Sequence, residues 1–149
     1  MSADVIVRPV ALDERAAWQP LWKGYLDFYR ASVPPETYDT TWARLHDPAE
    51  PMGLLGAYAG GRLRGIVHFI YHRSCWTVGN YCYLQDLFVA EDSRKLGLGR
   101  ALIEAVYQEA RAAGASRVHW LTHETNATAR ALYDTLADRP GFIQYRRIF

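Results

Sequence analysis

Cysteine is scarce in this chain: 2 among 149 residues, Cys75 and Cys82. Their spacing makes neither a metal set nor a disulfide framework, which suits a reducing compartment and leads to a cytoplasmic expectation. An excess of one charge is also missing, because 17 Lys and Arg face 16 Asp and Glu for a net charge of +1. That balance removes the general electrostatic case for nucleic acid or an anionic membrane surface. No apolar run approaches a membrane span, and residues 1–9 contain no long apolar leader core. Repeats and low-complexity stretches are absent too, so one domain over residues 1–149 is expected. What remains is 50% hydrophobic and 22% charged, the balance of a globular chain able to bury its own core.

One stretch stands out, from Gln85 to Glu104. It reads as a buried strand, a basic Gly-containing turn and an amphipathic helix, the order that points a helix N-terminus at an anion. Gly97 and Gly99 let the backbone curl toward a bulky diphosphate, and Arg94, Lys95 and Arg100 add positive charge around the same turn. The other reading is an ordinary strand-to-helix turn with no ligand. A P-loop is excluded because Arg100 and Ala101 follow the last glycine in place of Lys and Ser or Thr. A dinucleotide fingerprint is excluded because Leu102 holds the place of its third glycine.

The remaining chain supplies alternating elements. Residues 5–10 read as a strand, and residues 14–29 and 36–46 as helices. Residues 54–58 and 62–72 form a hairpin about Gly60 and Gly61, followed by a strand over 81–89. A helix over 98–113 ends at Gly114; a strand over 117–122 leads to another helix, capped by Thr122 or Thr125. Residues 141–149 read as a last strand. In the later helix Asn126 and Tyr133, seven residues apart with Ala129 between, share one side, as suits an extended ligand. Trp18, Trp22, Tyr25 and Tyr29, then Tyr38 and Trp42, form an aromatic stripe that serves as core or as one wall of a pocket.

Arg94-x-x-Gly97-x-Gly99 after the strand resembles the acetyl-CoA pyrophosphate loop of the GCN5-related N-acetyltransferases, the GNAT superfamily. Asn126-x-x-Ala129-x-x-Leu132-Tyr133 is similar to the pattern with which that family's later helix meets the cofactor. The resemblance covers about residues 5–148. It implies an α+β, three-layer fold with a mixed, mostly antiparallel sheet of six to seven strands and about four flanking helices. Within the superfamily, residues 83–89 and 122–133 with Arg139-Pro140-Gly141-Phe142 look most like the branch of yeast histone-, polyamine- and D-amino-acid-acetylating enzymes.

Several roles follow from the resemblance alone. Amides of Leu96, Gly97, Leu98, Gly99 and Arg100, with Arg94 and Lys95, would hold the diphosphate of acetyl-CoA. The backbone at Phe88 and Val89 would pair with its pantetheine arm, Asn126 would hydrogen-bond that arm, and Tyr133 would act as general acid for the departing thiolate. Because the first two helices commonly wall the acceptor site in this family, Tyr25, Tyr29, Glu36, Tyr38 and Trp42 become candidates for acceptor contact.

The implied reaction is acetyl transfer from acetyl-CoA to a primary amine by direct attack. An amine is mostly ammonium at neutral pH, so a base must take a proton before attack, and the developing oxyanion needs a donor such as the amide of Phe88 or Val89. Polyamine-acetylating relatives often carry Glu-Asp where this chain has Gln85-Asp86. An amide at Gln85 cannot accept the proton, which leaves Gln85 an acceptor contact and makes Asp86 the first choice of base, directly or through water. Glu124 and His123 follow, and Glu124, with Asp86 and Glu36, also offers negative charge to bind a cationic acceptor. Against Asp86 stand a purely ion-paired or solvated role and its strand parity with Leu84 and Phe88, which turns it from a wet site unless a bulge re-aims it. His68, His72 and His119 read as packing or surface residues, with no metal site. The partner expected is a small-molecule amine; a protein amine and a non-catalytic acetyl-CoA-binding module are the alternatives. An edge at the last strand would suit a homodimer.

Overall fold

A glycine pair starts the sheet. Gly60 and Gly61 both take left-handed backbone (φ 59° and 75°), the conformation of a two-residue hairpin turn, and put Ala59 opposite Arg62. The computed structural model describes residues 4–149. Its strands are β1 (Val5–Pro9), β2 (Met52–Ala59), β3 (Arg62–His72), β4 (Tyr81–Val89) and β5 (Arg117–His119), in that spatial order. Pairing is antiparallel except for the parallel β4–β5 step. The helices are α1 (Arg15–Phe28), α2 (Pro35–Leu45), α3 (Leu98–Ala112) and α4 (Ala127–Tyr133), with short 3-10 turns at Leu12–Glu14 and Glu91–Leu96.

Period-two alternation in the central strands assigns each residue to one of two packed faces. Leu55, Ala57, Val67, Phe69, Cys82 and Leu84 face α3 and meet Leu98, Leu102, Ile103, Val106 and Ala110. On the other face Leu54 and Ile66 meet Trp18, Trp22 and Leu26 of α1 and Trp42 and Leu45 of α2. The aromatic stripe is therefore largely core: Trp18 is fully buried and its ring centroid lies 4.8 Å from that of Trp42.

Two expectations need correction. The sheet has five strands among the described residues, not six to seven, because residues 141–149 form no strand. A strand exists only through a partner, and β5, the neighbour they would extend from, keeps just three residues in the ladder. Phe142, Ile143, Tyr145, Ile148 and Phe149 stay exposed in consequence. For the same reason β5 ends at His119 instead of residue 122: beyond Tyr83↔His119 it no longer pairs with β4.

Candidate active site

The site begins with one extra residue in β4. Opposite β3, His68 faces Asp86 while the next residue, Phe69, faces Leu84, so Gln85 has no cross-strand partner. This bulge separates Leu84, on the α3 face, from Asp86 and Phe88, on the α1 face. Parity with Leu84 thus breaks at Gln85 while parity with Phe88 holds, and the carboxylate turns into the aromatic layer, away from solvent. There it is 8% exposed, with Oδ2 3.0 Å from His68 Nδ1. His68 is in turn 3% exposed, and its Nε2 accepts the Trp18 indole N–H at 3.0 Å.

Tyrosines surround this carboxylate. Burial pushes the Tyr25 phenol far above its ordinary range, and the Asp86 charge beside it adds to the effect. Tyr29 and Tyr83 are raised in the same way, by burial first and then by Asp86. All three are neutral hydroxyls at physiological pH, able to donate toward an anion or pass a proton.

A split in the sheet lies next to the bulge. Because β4 and β5 pair only over Tyr81–Tyr83 and Arg117–His119, the β5-facing side of β4 from Leu84 onward has no neighbouring strand. Tyr25, Tyr29, Leu84, Gln85, Leu87, Trp120, Leu121 and Tyr133 enclose a cavity of about 20 Å³ there. Tyr133 packs edge-on against Trp120 at 5.4 Å, and burial, with a smaller contribution from Tyr29, pushes its phenol up to about 12. It therefore keeps its proton at neutral pH. A wider opening of about 470 Å³, lined by Phe28, Tyr29, Arg30, His123, Thr125 and Asn126, adjoins this cavity through their shared Tyr29.

At the far end of β4 the chain turns through Glu91–Leu96 into α3. Gly97 is the N-cap, with φ 77°, and no side chain caps the helix. The first intrahelical bond runs from Ala101 N–H to the Gly97 carbonyl, leaving the amides before it for an outside acceptor. Arg94 donates to the Val89 carbonyl at 3.3 Å, and Arg100 donates to Thr135 Oγ1 at 2.8 Å. Gly99 has no positive φ; a Cβ there would meet Leu132 at 3.4 Å, an ordinary contact. The conformational demand falls on Gly97 alone. An unpaired strand edge leading to a bare helix N-terminus fits a long ligand with an anionic diphosphate.

The structure thus brings Tyr29, Gln85 and Tyr133 to one cavity, with Asp86 behind Tyr25 and Tyr29, and Phe88, Val89, Arg94, Lys95, Leu96, Gly97, Leu98, Gly99 and Arg100 along the strand end and loop. Asn126 is the N-cap of α4 and not part of it: its Oδ1 accepts the Ala129 N–H at 3.4 Å. Its relation to Tyr133 comes from the cap, not from a shared helical face, and neither Thr122 nor Thr125 holds that place. Glu36 and Glu124 are exposed outside both cavities, and Tyr38 packs against the core of α1 and α2. Trp18 and His68, which read from sequence as packing residues, turn out to be hydrogen-bonded to each other and, through His68, to Asp86. The available signal was a histidine inside an apolar run, Ile66-Val67-His68-Phe69-Ile70, whose burial demands partners.

Comparison with known proteins agrees with this geometry. The profile of the Acetyltransferase (GNAT) family matches residues 18–137. A D-amino-acid N-acetyltransferase of Saccharomyces cerevisiae is 36% identical over 147 residues, spanning 96% of this chain and 90% of the yeast protein. A thialysine N-epsilon-acetyltransferase of Caenorhabditis elegans is 36% identical over 80 residues, 54% of this chain and 49% of the worm protein. The fold matches a crystal structure of a ribosomal-protein-alanine N-acetyltransferase from Brucella melitensis with TM-score 0.80 and 22% identity, over 98% of this chain and 100% of the other.

Proposed function

Because the chain belongs to the acetyltransferase (GNAT) family, we propose that it transfers an acetyl group from acetyl-CoA to the primary amine of a small molecule, an amino acid or polyamine, by direct attack. The observation that carries this reading is the half-buried Tyr133 phenol, which shares one small cavity with Tyr25, Tyr29 and the Gln85 bulge at the split between β4 and β5. Its aromatic lining suits a slender alkylamine, and the acceptors in the yeast and worm proteins' names point the same way.

Bound acetyl-CoA supplies the acetyl group as an activated thioester. The α3 N-terminus with Gly97, Arg94, Lys95 and Arg100 would hold its diphosphate, and the unpaired edge of β4 at Phe88 and Val89, with Asn126, its pantetheine arm. Asp86 takes a proton from the acceptor ammonium, directly or through water, and the freed lone pair attacks. An amide of Phe88 or Val89 donates to the oxygen that gains charge. Tyr133 gives its proton to the leaving sulfur and regains one through water as nitrogen loses its second proton to become the amide, while Asp86 releases its proton to solvent. Gln85 lines the acceptor's path as a neutral contact.

Free thiol release from acetyl-CoA tests this across polyamines, D- and L-amino acids, aminoglycosides and a lysine-rich peptide. The expected result is acceptor-dependent release with an acetyl mass added to a small amine. Tyr133→Phe should lower turnover by about 10²-fold or more while retaining acetyl-CoA binding; unchanged turnover would remove the assigned role. The chain acts in the cytoplasm as one catalytic domain in this reading. The exposed apolar residues between Phe142 and Phe149 support a second copy as partner. Sedimentation of the full chain against one ending at Pro140 checks that: a dimer should become a monomer.

A further inference from the structure

We propose that Trp18 and His68 are positioning residues for the acetyl transfer proposed above, holding the Asp86 carboxylate as the base through a Trp18–His68–Asp86 hydrogen-bond chain. The inference rests on that functional reading and extends it to two residues remote from either cavity lining.

The chain has one consistent proton arrangement. An indole N–H only donates, so His68 Nε2, 3.0 Å from Trp18 Nε1, must accept. The ring proton is then on Nδ1, and Nδ1 donates to Asp86 Oδ2 at 3.0 Å. With a proton on Nε2, two N–H groups would face each other across that first contact. The acceptor-only carboxylate calls for the same proton on Nδ1, and the Trp18 N–H keeps Nε2 free of one, so both ends of the chain agree on the tautomer.

Burial gives the arrangement its weight. Trp18, His68 and Asp86 are 0%, 3% and 8% exposed, inside a layer that includes Trp22, Leu26, Trp42 and Ile66. A carboxylate there is costly without partners, and a histidine free to rotate would leave it unfixed. The bulge at Gln85 puts Asp86 opposite His68 and next to the cavity residue Gln85 in sequence. With His68 on Oδ2 and the Tyr25 phenol beside it, the carboxylate receives the proton. An N–H bond of the acceptor ammonium breaks, an O–H bond forms on Asp86, and the electron pair left on nitrogen becomes the nucleophile. His68 keeps its own proton throughout.

Two measurements on the full-length protein decide the matter. Nitrogen-15 chemical shifts of His68 should show a protonated Nδ1 and an unprotonated Nε2, and Trp18→Phe, which removes the donor at Nε2, should move the Nε2 resonance; a protonated Nε2 in the wild type overturns the geometry whatever the turnover. Kinetics use the panel amine with the highest turnover. His68→Phe, which keeps the ring shape and removes the donor, should lower kcat by about 10- to 100-fold with acetyl-CoA affinity unchanged. His68→Asn, whose amide N–H can replace Nδ1–H, should recover most of that loss. If the wild type is active, Asp86→Asn is inactive and His68→Phe stays within twofold of wild type, the positioning role is wrong while the function stands. If folded His68→Asn is no better than His68→Phe, it is wrong as well. A wild type inert across the panel overturns the function and this role together.

Discussion

The two faces of the sheet are built from different materials. The α3 face is mainly aliphatic: Leu98, Leu102, Ile103 and Val106 are fully buried against Val67 and Leu84, and no buried charge lies among them. The α1 and α2 face is aromatic, and the buried pair His68 and Asp86 sits in it with a phenol, Tyr25, alongside. Aliphatic side chains fill space and carry no donors, so the first face holds β3 and β4 rigidly in place. Aromatic rings fill space equally well but bring N–H and O–H groups, so the second can hold a carboxylate without flooding it. The difference separates close packing from the buried carboxylate across a single layer of backbone, with Tyr133 reaching the cavity from the α3 side.

That separation can be tested by disturbing each face in turn. Asp86→Asn, nearly isosteric, should cost about 10²- to 10⁴-fold in turnover with a small change in the urea midpoint. Turnover within tenfold of wild type would show that the aromatic face does not supply the base. Leu102→Ala on the α3 face should do the reverse, lowering stability by about 2–5 kcal/mol while the folded fraction keeps its kcat; a kcat loss beyond threefold would show that the faces are coupled. Gly97→Ala sits at the junction of β4 and α3. Its φ of 77° should make that change cost about 1–2 kcal/mol, with acetyl-CoA affinity reduced and the acceptor KM unchanged, as calorimetry and kinetics would show.

The smallest expected effect lies outside both faces. Arg8 first, then the Ala11 amide, holds the Glu14 carboxyl well below its usual 4.5, at about 2. A depressed carboxyl contributes stability that is present above 4.5 and lost as pH falls through about 2. The stability gap between wild type and Glu14→Gln should therefore be flat at neutral pH and close on acidification, with turnover at pH 7 unaffected. A gap that persists at pH 2 would contradict the assignment.

Much of this arrangement was legible before any coordinates, where the cause was local. The glycine pair at Gly60 and Gly61 marked the hairpin, residues 62–72 and 81–89 were bounded as strands, and α3 began at Leu98 behind its glycine. The aromatic stripe was visible as periodicity, though not as core in preference to pocket. Non-local causes were not legible. Alternation counts residues, and a bulge breaks the count only where the opposing strand is known, so the direction of Asp86 waited on His68. The shortness of β5 depends on where it leaves β4, and residues 141–149 carry a strand pattern without a strand among the described residues to receive it. Asn126 was assigned to a helix that it begins by capping.

The bulge at Gln85 has a consequence for how such a sheet tolerates lost residues. Removing Gln85 would leave Leu84 opposite Phe69 and Asp86 opposite His68, and every side chain of β4 would stay on its present face. Only the kink would go. Removing Leu87 instead would exchange the faces of Phe88 and Val89 and drive a ring toward Leu102. The strand thus contains one residue whose loss leaves every other side chain on its face, and comparing its deletion with a Gln85 substitution would distinguish the kink from the side chain it presents.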